Sequence, residues 1–240
     1  MSDLTCFKAY DIRGEIGVNI DEDVAYRIGR AVAQHFSAKS VVIGFDARET
    51  SLAFSAAASQ GARDAGADVI NIGMAGTEEM YWAVTEFDAC AGIEVTASHN
   101  PINYNGMKIL KSGSRPLDDA GDFQVIKSLA GSQEWASVEN VGNEFDRSGV
   151  ARKAYVDRVL SFVDVKALRP LKIVVNSGNG AAGPTFDALA ERLLAHGVQL
   201  DFIRVHHTPD STFPNGIPNP LLPENHSATA DVVKAKAADL

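Results

Sequence analysis

The 240-residue sequence predicts an α/β fold with two consecutive mixed, mainly parallel sheets sandwiched by helices. Two observations carry that expectation. Short apolar, β-branched runs recur, of the kind that form strands covered on both faces. Between them lie stretches whose apolar residues repeat at helical spacing. Strands alternating with helices in this way pair in parallel, and the helices cross on both faces of the sheet.

The elements follow in order. Residues Asp21–Phe36 place Val24, Ile28, Ala31, Val32 and Phe36 on one stripe. The acids Asp21, Glu22 and Asp23 fall in its first turn, where they favour the helix dipole. The run SVVIGFD (Ser40–Asp46) reads as a buried strand. Thr50 or Ser51 can cap a second helix that continues to Ala65, with Gly66 ending it. ADVINIG is the next strand, TEEMYWAVTEF the next helix and AGIEVTAS the strand after that. Asn100-Pro101 starts a turn, Asn105-Gly106 suits a tight reversal with positive φ, and GMKIL returns as a strand.

From Gly131 to Val150 the sequence turns polar and loses its period. A boundary placed there divides the chain into residues 1–145 and 146–240. Beyond it, RKAYVDRVLSFVD reads as a helix, LKIVVNS as a strand, Pro184–His196 as a helix, QLDFIRV as a strand and SATADVVKAKAADL as a last helix. Two strands in so long a stretch make a marginal sheet, so the second domain reads as cut short, with an unfinished edge that makes a homo-oligomer plausible.

Composition narrows the functional classes. A net charge of −9 argues against general binding to nucleic acid or acidic membranes. No stretch has the ~18–20 consecutive apolar residues of a membrane helix, and the N-terminus lacks a signal-peptide pattern. Cys6 and Cys90 are far apart, without metal or disulfide spacing. The expectation is a cytoplasmic, reduced protein that would need locally concentrated positive charge to hold an anionic substrate.

In parallel sheets, ligands bind at the loops beyond the carboxyl ends of the strands. Those loops are Phe45–Ser51, Gly73–Glu79 and Thr96–Gly106. The last contains Ser98 and His99, and the returning strand brings Lys108 back toward them. A hydroxyl on an exposed turn, facing an ammonium, suits the handling of a phosphoryl group, which depends on positioning and charge neutralisation. Ser98 would equally satisfy turn backbone groups, and Lys108 would equally be a solvated strand charge. A Ser-His hydrolase is poorly supported, because no G-x-S-x-G elbow is present.

TASHNP followed by YNGMK resembles the α-D-phosphohexomutase superfamily, most closely its bacterial phosphomannomutase branch. The similarity continues in KAYDIRG (Lys8–Gly14), GFDARETS (Gly44–Ser51), GTEEMY (Gly76–Tyr81), VVNSGNGAAG (Val174–Gly183) and PNGIPNPLLPEN (Pro214–Asn225). The resemblance implies an isomerase that interconverts mannose 6-phosphate and mannose 1-phosphate, serving GDP-mannose and polysaccharide synthesis. By it, Ser98 is the phosphoserine and, through a phosphoryl oxygen, a ligand of Mg²⁺. Lys108 is the general acid/base, and Arg13 steadies the transferring group. Tyr10 and His99 line the site and Lys8 adds positive field. Asp46, Arg48 and Asn100 support the loops, with an Asp46–Arg48 salt bridge preferred to a direct role in binding.

The resemblance further implies mannose or glucose 1,6-bisphosphate as activator and a phosphorylated hexose as substrate. The Asp-Gly-Asp-x-Asp-Arg metal loop of the family is absent, as are its later domains. The missing C-terminal half is therefore an expected partner, and the chain alone is expected to be inactive. The alternatives are a phosphoglucomutase, a phosphoglucosamine mutase, or a non-catalytic fragment that binds phosphosugar.

Other features read as structural. The glycine-rich Asn176–Pro184 lacks the P-loop Gly-Lys-Ser/Thr, and Pro184 fits a helix N1 position. His206-His207 lacks a third metal ligand at matching spacing. Pro209, Pro214, Pro218, Pro220 and Pro223 stiffen a long connection.

Overall fold

The computed structural model describes residues 4–9 and 11–240. Two compact units divide it, Met1–Ala151 and Arg152–Leu240, and the division falls within one helix. The first unit contains β1 (Ile12–Glu15), α1 (Glu22–His35), β2 (Ser40–Phe45), α2 (Ser51–Asp64), β3 (Asp68–Met74) and α3 (Thr77–Glu86). It continues with β4 (Ala91–Val95), β5 (Tyr104–Lys111), β6 (Arg115–Pro116), α4 (Asp122–Ser132), β7 (Glu144–Asp146) and the start of α5 (Ser148–Leu160).

Its sheet runs β1-β5-β4-β2-β3-β7, with β6 beside β5. The centre is parallel: β2 pairs with β3 and β4, and β3 pairs with β7. β5 runs antiparallel to β1, β4 and β6, which makes the sheet mixed. β1, β6 and β7 were not expected from the sequence. They are two to four residues long, too short for an apolar period to register.

Helices cover both faces, because the central strands are apolar on both. On one side, Ile28 and Val32 of α1, Phe54 and Ala58 of α2, and Phe123 and Ile126 of α4 join Val41, Ile43, Ile93 and Met107. On the other, Met80, Ala83 and Val84 of α3 and Ala151 of α5 close over Val42, Ile72 and Leu110.

Several helix ends differ from expectation. Asp21 lies before α1 as its N-cap, accepting from the Val24 N–H at 2.8 Å. Thr50 takes the N-cap position of α2, but its side chain makes no capping hydrogen bond. The hydroxyls of Thr50 and Ser51 both accept from Asn105 Nδ2, and Ser51 donates to Asp46. Asn105-Gly106 is not a reversal. Both residues lie inside β5, with Gly106 opposite Arg13. Glycine is required there by close approach: a Cβ would sit 1.9 Å from the Ile12 carbonyl oxygen.

The second unit holds the rest of α5, β8 (Leu171–Asn176), α6 (Ala182–Ala195), β9 (Leu200–Val205) and α7 (Ser227–Lys236). β8 and β9 form a two-stranded parallel sheet joined through α6. Val174, Ala190, Leu193 and Phe213 are buried, and Phe186 meets Phe202 edge-on at 5.0 Å. After α7 the chain runs along β8, where Asp239 N donates to the Lys172 carbonyl and Val174 N to that of Leu240. Pro184 is the third residue of α6, not its first. Gly178 and Asn179 take left-handed φ of 57° and 55°, so the glycine-rich segment is a tight turn. His207 lies between the Ser177 hydroxyl and the Asp187 carboxylate.

Candidate active site

The parallel strands β2, β3 and β4 end on the same side, and the loop after β4 carries Ser98. Its backbone is left-handed, with φ of 51°, a conformation that non-glycine residues adopt mainly when their surroundings impose it. The Thr96 hydroxyl accepts from the Ser98 N–H at 2.8 Å, and the Asn100 N–H donates to the Ala97 carbonyl at 3.0 Å. Ser98 and His99 are exposed. Their side chains stand 3.5 Å apart, Oγ to Nδ1, at the limit of hydrogen bonding.

Arg48 imposes that loop shape. Its guanidinium is buried, at 5% exposure, and donates to four main-chain carbonyls. Nη1 reaches Pro101 and Tyr104, each at 2.9 Å, and Nη2 reaches Ser98 at 2.9 Å and Asn100 at 2.6 Å. The planar fork is suited to this task in a way an ammonium is not. Asp46 holds the arginine from behind, with Oδ2 3.6 Å from Nε and Oδ1 accepting from the Arg48 N–H at 2.9 Å. Burial lowers the guanidinium's pKa from its ordinary value; Asp46 opposes that pull and Arg13 adds to it.

Arg13, on β1, is also buried and donates to the carbonyls of Thr96 and Ile12. Asp11 pairs with it at 3.1 Å. Two arginines therefore grip the segment from Thr96 to Tyr104, one from β1 and one from the loop after β2. Lys108 lies on β5, directly opposite Glu94 of β4. It is half-buried and lines a cleft of about 550 Å³ with Asp11, Tyr81, Leu117, Asp118 and Asp119. Lys8 is exposed and donates to the Thr5 carbonyl at 2.9 Å. Tyr10 lies outside the described residues.

Sequence reading missed Glu94, Thr96 and Asn105. Glu94 carried a signal, since an acid within a short apolar strand run is rarely buried without purpose. Its side chain is 1% exposed, and neither carboxyl oxygen has a hydrogen-bond partner. Burial raises its pKa well above the ordinary carboxylate range, and Asp46, Glu79 and Glu78 raise it further.

Among the described residues, no three His, Cys, Asp or Glu side chains converge on a possible metal position. One phosphoryl oxygen on Ser98 falls far short of the six-oxygen shell that Mg²⁺ requires, so these residues do not by themselves fit that ion. No helix among the described residues is long and apolar enough to cross a membrane.

Fold and site together define an α/β protein that presents a serine on a clamped loop at the carboxyl end of parallel strands, with basic residues on the neighbouring strands. The chain belongs to the phosphoglucomutase/phosphomannomutase family. The model of that family's alpha/beta/alpha domain I matches residues 5–134, and that of domain II matches residues 153–240. A phosphomannomutase of Salmonella montevideo is 49% identical over all of this chain and 53% of its own length. One of Vibrio cholerae is 46% identical over all of this chain and 52% of its own. The crystal structure of a phosphoglucomutase/phosphomannomutase family protein from Burkholderia thailandensis superposes with a TM-score of 0.85 at 32% identity, covering 99% of this chain and 52% of that one. The chain thus spans about half the length of the curated relatives it matches.

Proposed function

We propose that this chain forms the serine-bearing part of a phosphomannomutase. Ser98 carries the phosphoryl group and passes it between the 1- and 6-oxygens of mannose phosphate by way of a 1,6-bisphosphate. In the first transfer the Ser98 O–P bond breaks and a P–O bond forms to the sugar hydroxyl, whose proton passes to Lys108. In the second, the sugar's other phosphoryl group returns to Ser98, and Lys108 gives its proton back to the departing sugar oxygen. Arg13 contributes positive charge beside the loop, and Arg48 acts through the backbone by holding Ser98 in place. Such a reaction depends mainly on positioning and electrostatics.

The observation that carries this reading is the exposed Ser98, held left-handed by the four-carbonyl clamp of Arg48. The choice of mannose is supported by relatives named phosphomannomutase at 46–49% identity. Mg²⁺, when bound, would neutralise the phosphoserine. It would need ligands besides those found here, so each step above uses only side chains of this chain.

The test combines intact-mass analysis with a coupled mutase assay. The isolated chain should acquire or retain one phosphoryl group, lost in Ser98→Ala, yet show no measurable turnover with Mg²⁺ and bisphosphate. In the full-length enzyme, Ser98→Ala should abolish turnover. Near-normal rates in that variant, with bisphosphate present, would overturn the phosphoserine assignment.

A further inference from the structure

Asn105 is fully enclosed on β5, at 0% exposure, although its side chain is polar. Nδ2 donates to the Thr50 hydroxyl at 2.9 Å and to the Ser51 hydroxyl at 3.0 Å, and Oδ1 accepts from the Gly106 N–H at 2.8 Å. A buried amide with both donors and its oxygen engaged holds one orientation. Its partners decide which one. The Ser51 hydroxyl gives its proton to Asp46 Oδ1 at 2.6 Å, so only its lone pairs remain for residue 105. That position therefore requires a donor, and an acceptor there is repelled.

Two routes lead from Asn105 to the serine loop. On the first, Ser51 passes to Asp46, whose Oδ1 also accepts from the Arg48 N–H at 2.9 Å and whose Oδ2 lies 3.6 Å from Arg48 Nε. Arg48 in turn holds the carbonyls of Ser98, Asn100 and Pro101. On the second, the chain itself runs back from Asn105 to Tyr104, whose carbonyl accepts from Arg48 Nη1 at 2.9 Å. The two routes close a ring, from β5 through the loop after β2 and back to β5. Lys108 lies further along that same strand.

We propose that Asn105 is a positioning residue for phosphoryl transfer: by closing this ring it fixes the Ser98 loop relative to the strand that carries Lys108. The inference deepens the functional reading and rests on it for the roles of Ser98 and Lys108. Asn105 touches no substrate and acts through Arg48. Without its amide, Arg48 keeps its carbonyl acceptors, but the loop after β2 loses its side-chain tie to β5. The serine and the lysine then no longer share one frame. Positioning of this kind supplies much of the catalysis of phosphoryl transfer.

The test uses three variants. Asn105→Ala removes the amide, and Asn105→Asp keeps its size but turns an acceptor toward Ser51. Ser51→Ala breaks the ring without touching β5, and decides the matter if the Asn105 variants do not fold. On the 240-residue chain, hydrogen exchange reads the loop directly. The Ser98 N–H, bonded to the Thr96 hydroxyl, and the Asn100 N–H, bonded to the Ala97 carbonyl, should exchange about tenfold faster or more, while β2 and β3 keep their protection. In the full-length enzyme kcat should fall about tenfold or more with KM little changed. Combining Asn105→Ala with Arg48→Lys should slow turnover no further than Arg48→Lys alone, because residues in one network are not additive. Wild-type exchange at Ser98 and Asn100, an unchanged kcat, or independent effects of the two residues would overturn the proposal. Turnover by Ser98→Ala would instead overturn the functional reading, which the exchange measurement does not use.

Discussion

Arg48 donates to the main-chain carbonyl of Ser98 at 2.9 Å, and the same guanidinium holds the carbonyls of Asn100, Pro101 and Tyr104. One buried cation thus fixes both ends of the loop that presents the serine. Lysine at this position keeps the charge but cannot span four acceptors from one nitrogen. Each carbonyl left unsatisfied costs about 1–3 kcal/mol, so Arg48→Lys should lower the urea midpoint of the chain. In the full-length enzyme kcat should fall about 10²-fold, because a small displacement of the reacting group has that effect. Wild-type stability and kcat in Arg48→Lys would show that the loop holds its shape without the fork.

Gly106 gives a second test of how the site is built. Alanine there would drive a Cβ to 1.9 Å from the Ile12 carbonyl oxygen and 2.9 Å from Arg13 Nη1. Backbone cannot yield as a side-chain tip can, so β1 must shift away from β5 and carry Arg13 with it. Overpacking of this kind costs about 1–3 kcal/mol or more. Denaturation of Gly106→Ala should show that loss, and hydrogen exchange should show β1 and β5 losing protection before β2 and β3. Equal protection in all four strands would mean that the strain is absorbed elsewhere.

The sequence displayed the parallel centre of the first unit because β2, β3 and β4 are apolar on both faces and separated by helices with clear stripes. It concealed β1, β6 and β7, whose strand character comes from partners distant in sequence. Asn105-Gly106 misled for a related reason: turn-forming chemistry was read locally, whereas Gly106 answers to the Ile12 carbonyl across the strand pair. The TASHNP loop and its following lysine were legible as a motif. The four-carbonyl clamp was not, since nothing in a sequence tells which carbonyls a buried arginine will reach. Glu94 was missed, although an acid inside an apolar strand run was a signal, and its lack of hydrogen-bond partners emerges only once the strands and α3 have packed around it.

Asp122 predicts an acid dependence of stability. Burial tends to raise its pKa, but hydrogen bonds from Lys111, His35 and the Asp118 N–H outweigh that and take it from 3.8 to about 2. Its carboxylate joins the start of α4 to α1 and β5, with His35 Nε2 at 2.9 Å and Lys111 Nζ at 2.6 Å. A carboxylate whose folded pKa is depressed stabilises fully above its unfolded value, and the contribution is lost as pH falls through the folded one. Asp122→Asn should therefore be less stable than wild type at pH 6 by about 1.5–3 kcal/mol. The two melting curves should converge between pH 3.8 and about 2. A difference that persists unchanged below that window would trace the loss to packing instead.

Lys108 separates chemistry from architecture. It is half-buried at the edge of a cleft lined by Asp11, Asp118 and Asp119, and its neighbours on β5, Met107 and Ile109, supply the core contacts on the opposite face. Lys108→Met removes the ammonium with little change in bulk, so the folded chain should keep its melting temperature within a few degrees of wild type. On the general acid/base role proposed for Lys108, the variant should lower kcat of the full-length enzyme by about 10²–10⁴-fold. KM should change far less, since an interaction made chiefly in the transition state contributes little to substrate binding. Measuring kcat and KM with melting temperature on the same preparation distinguishes the outcomes. An unchanged kcat would make Lys108 a bystander. A collapsed melting temperature would make it a structural residue, and a rise in KM alone would make it a binding group that takes no part in proton transfer.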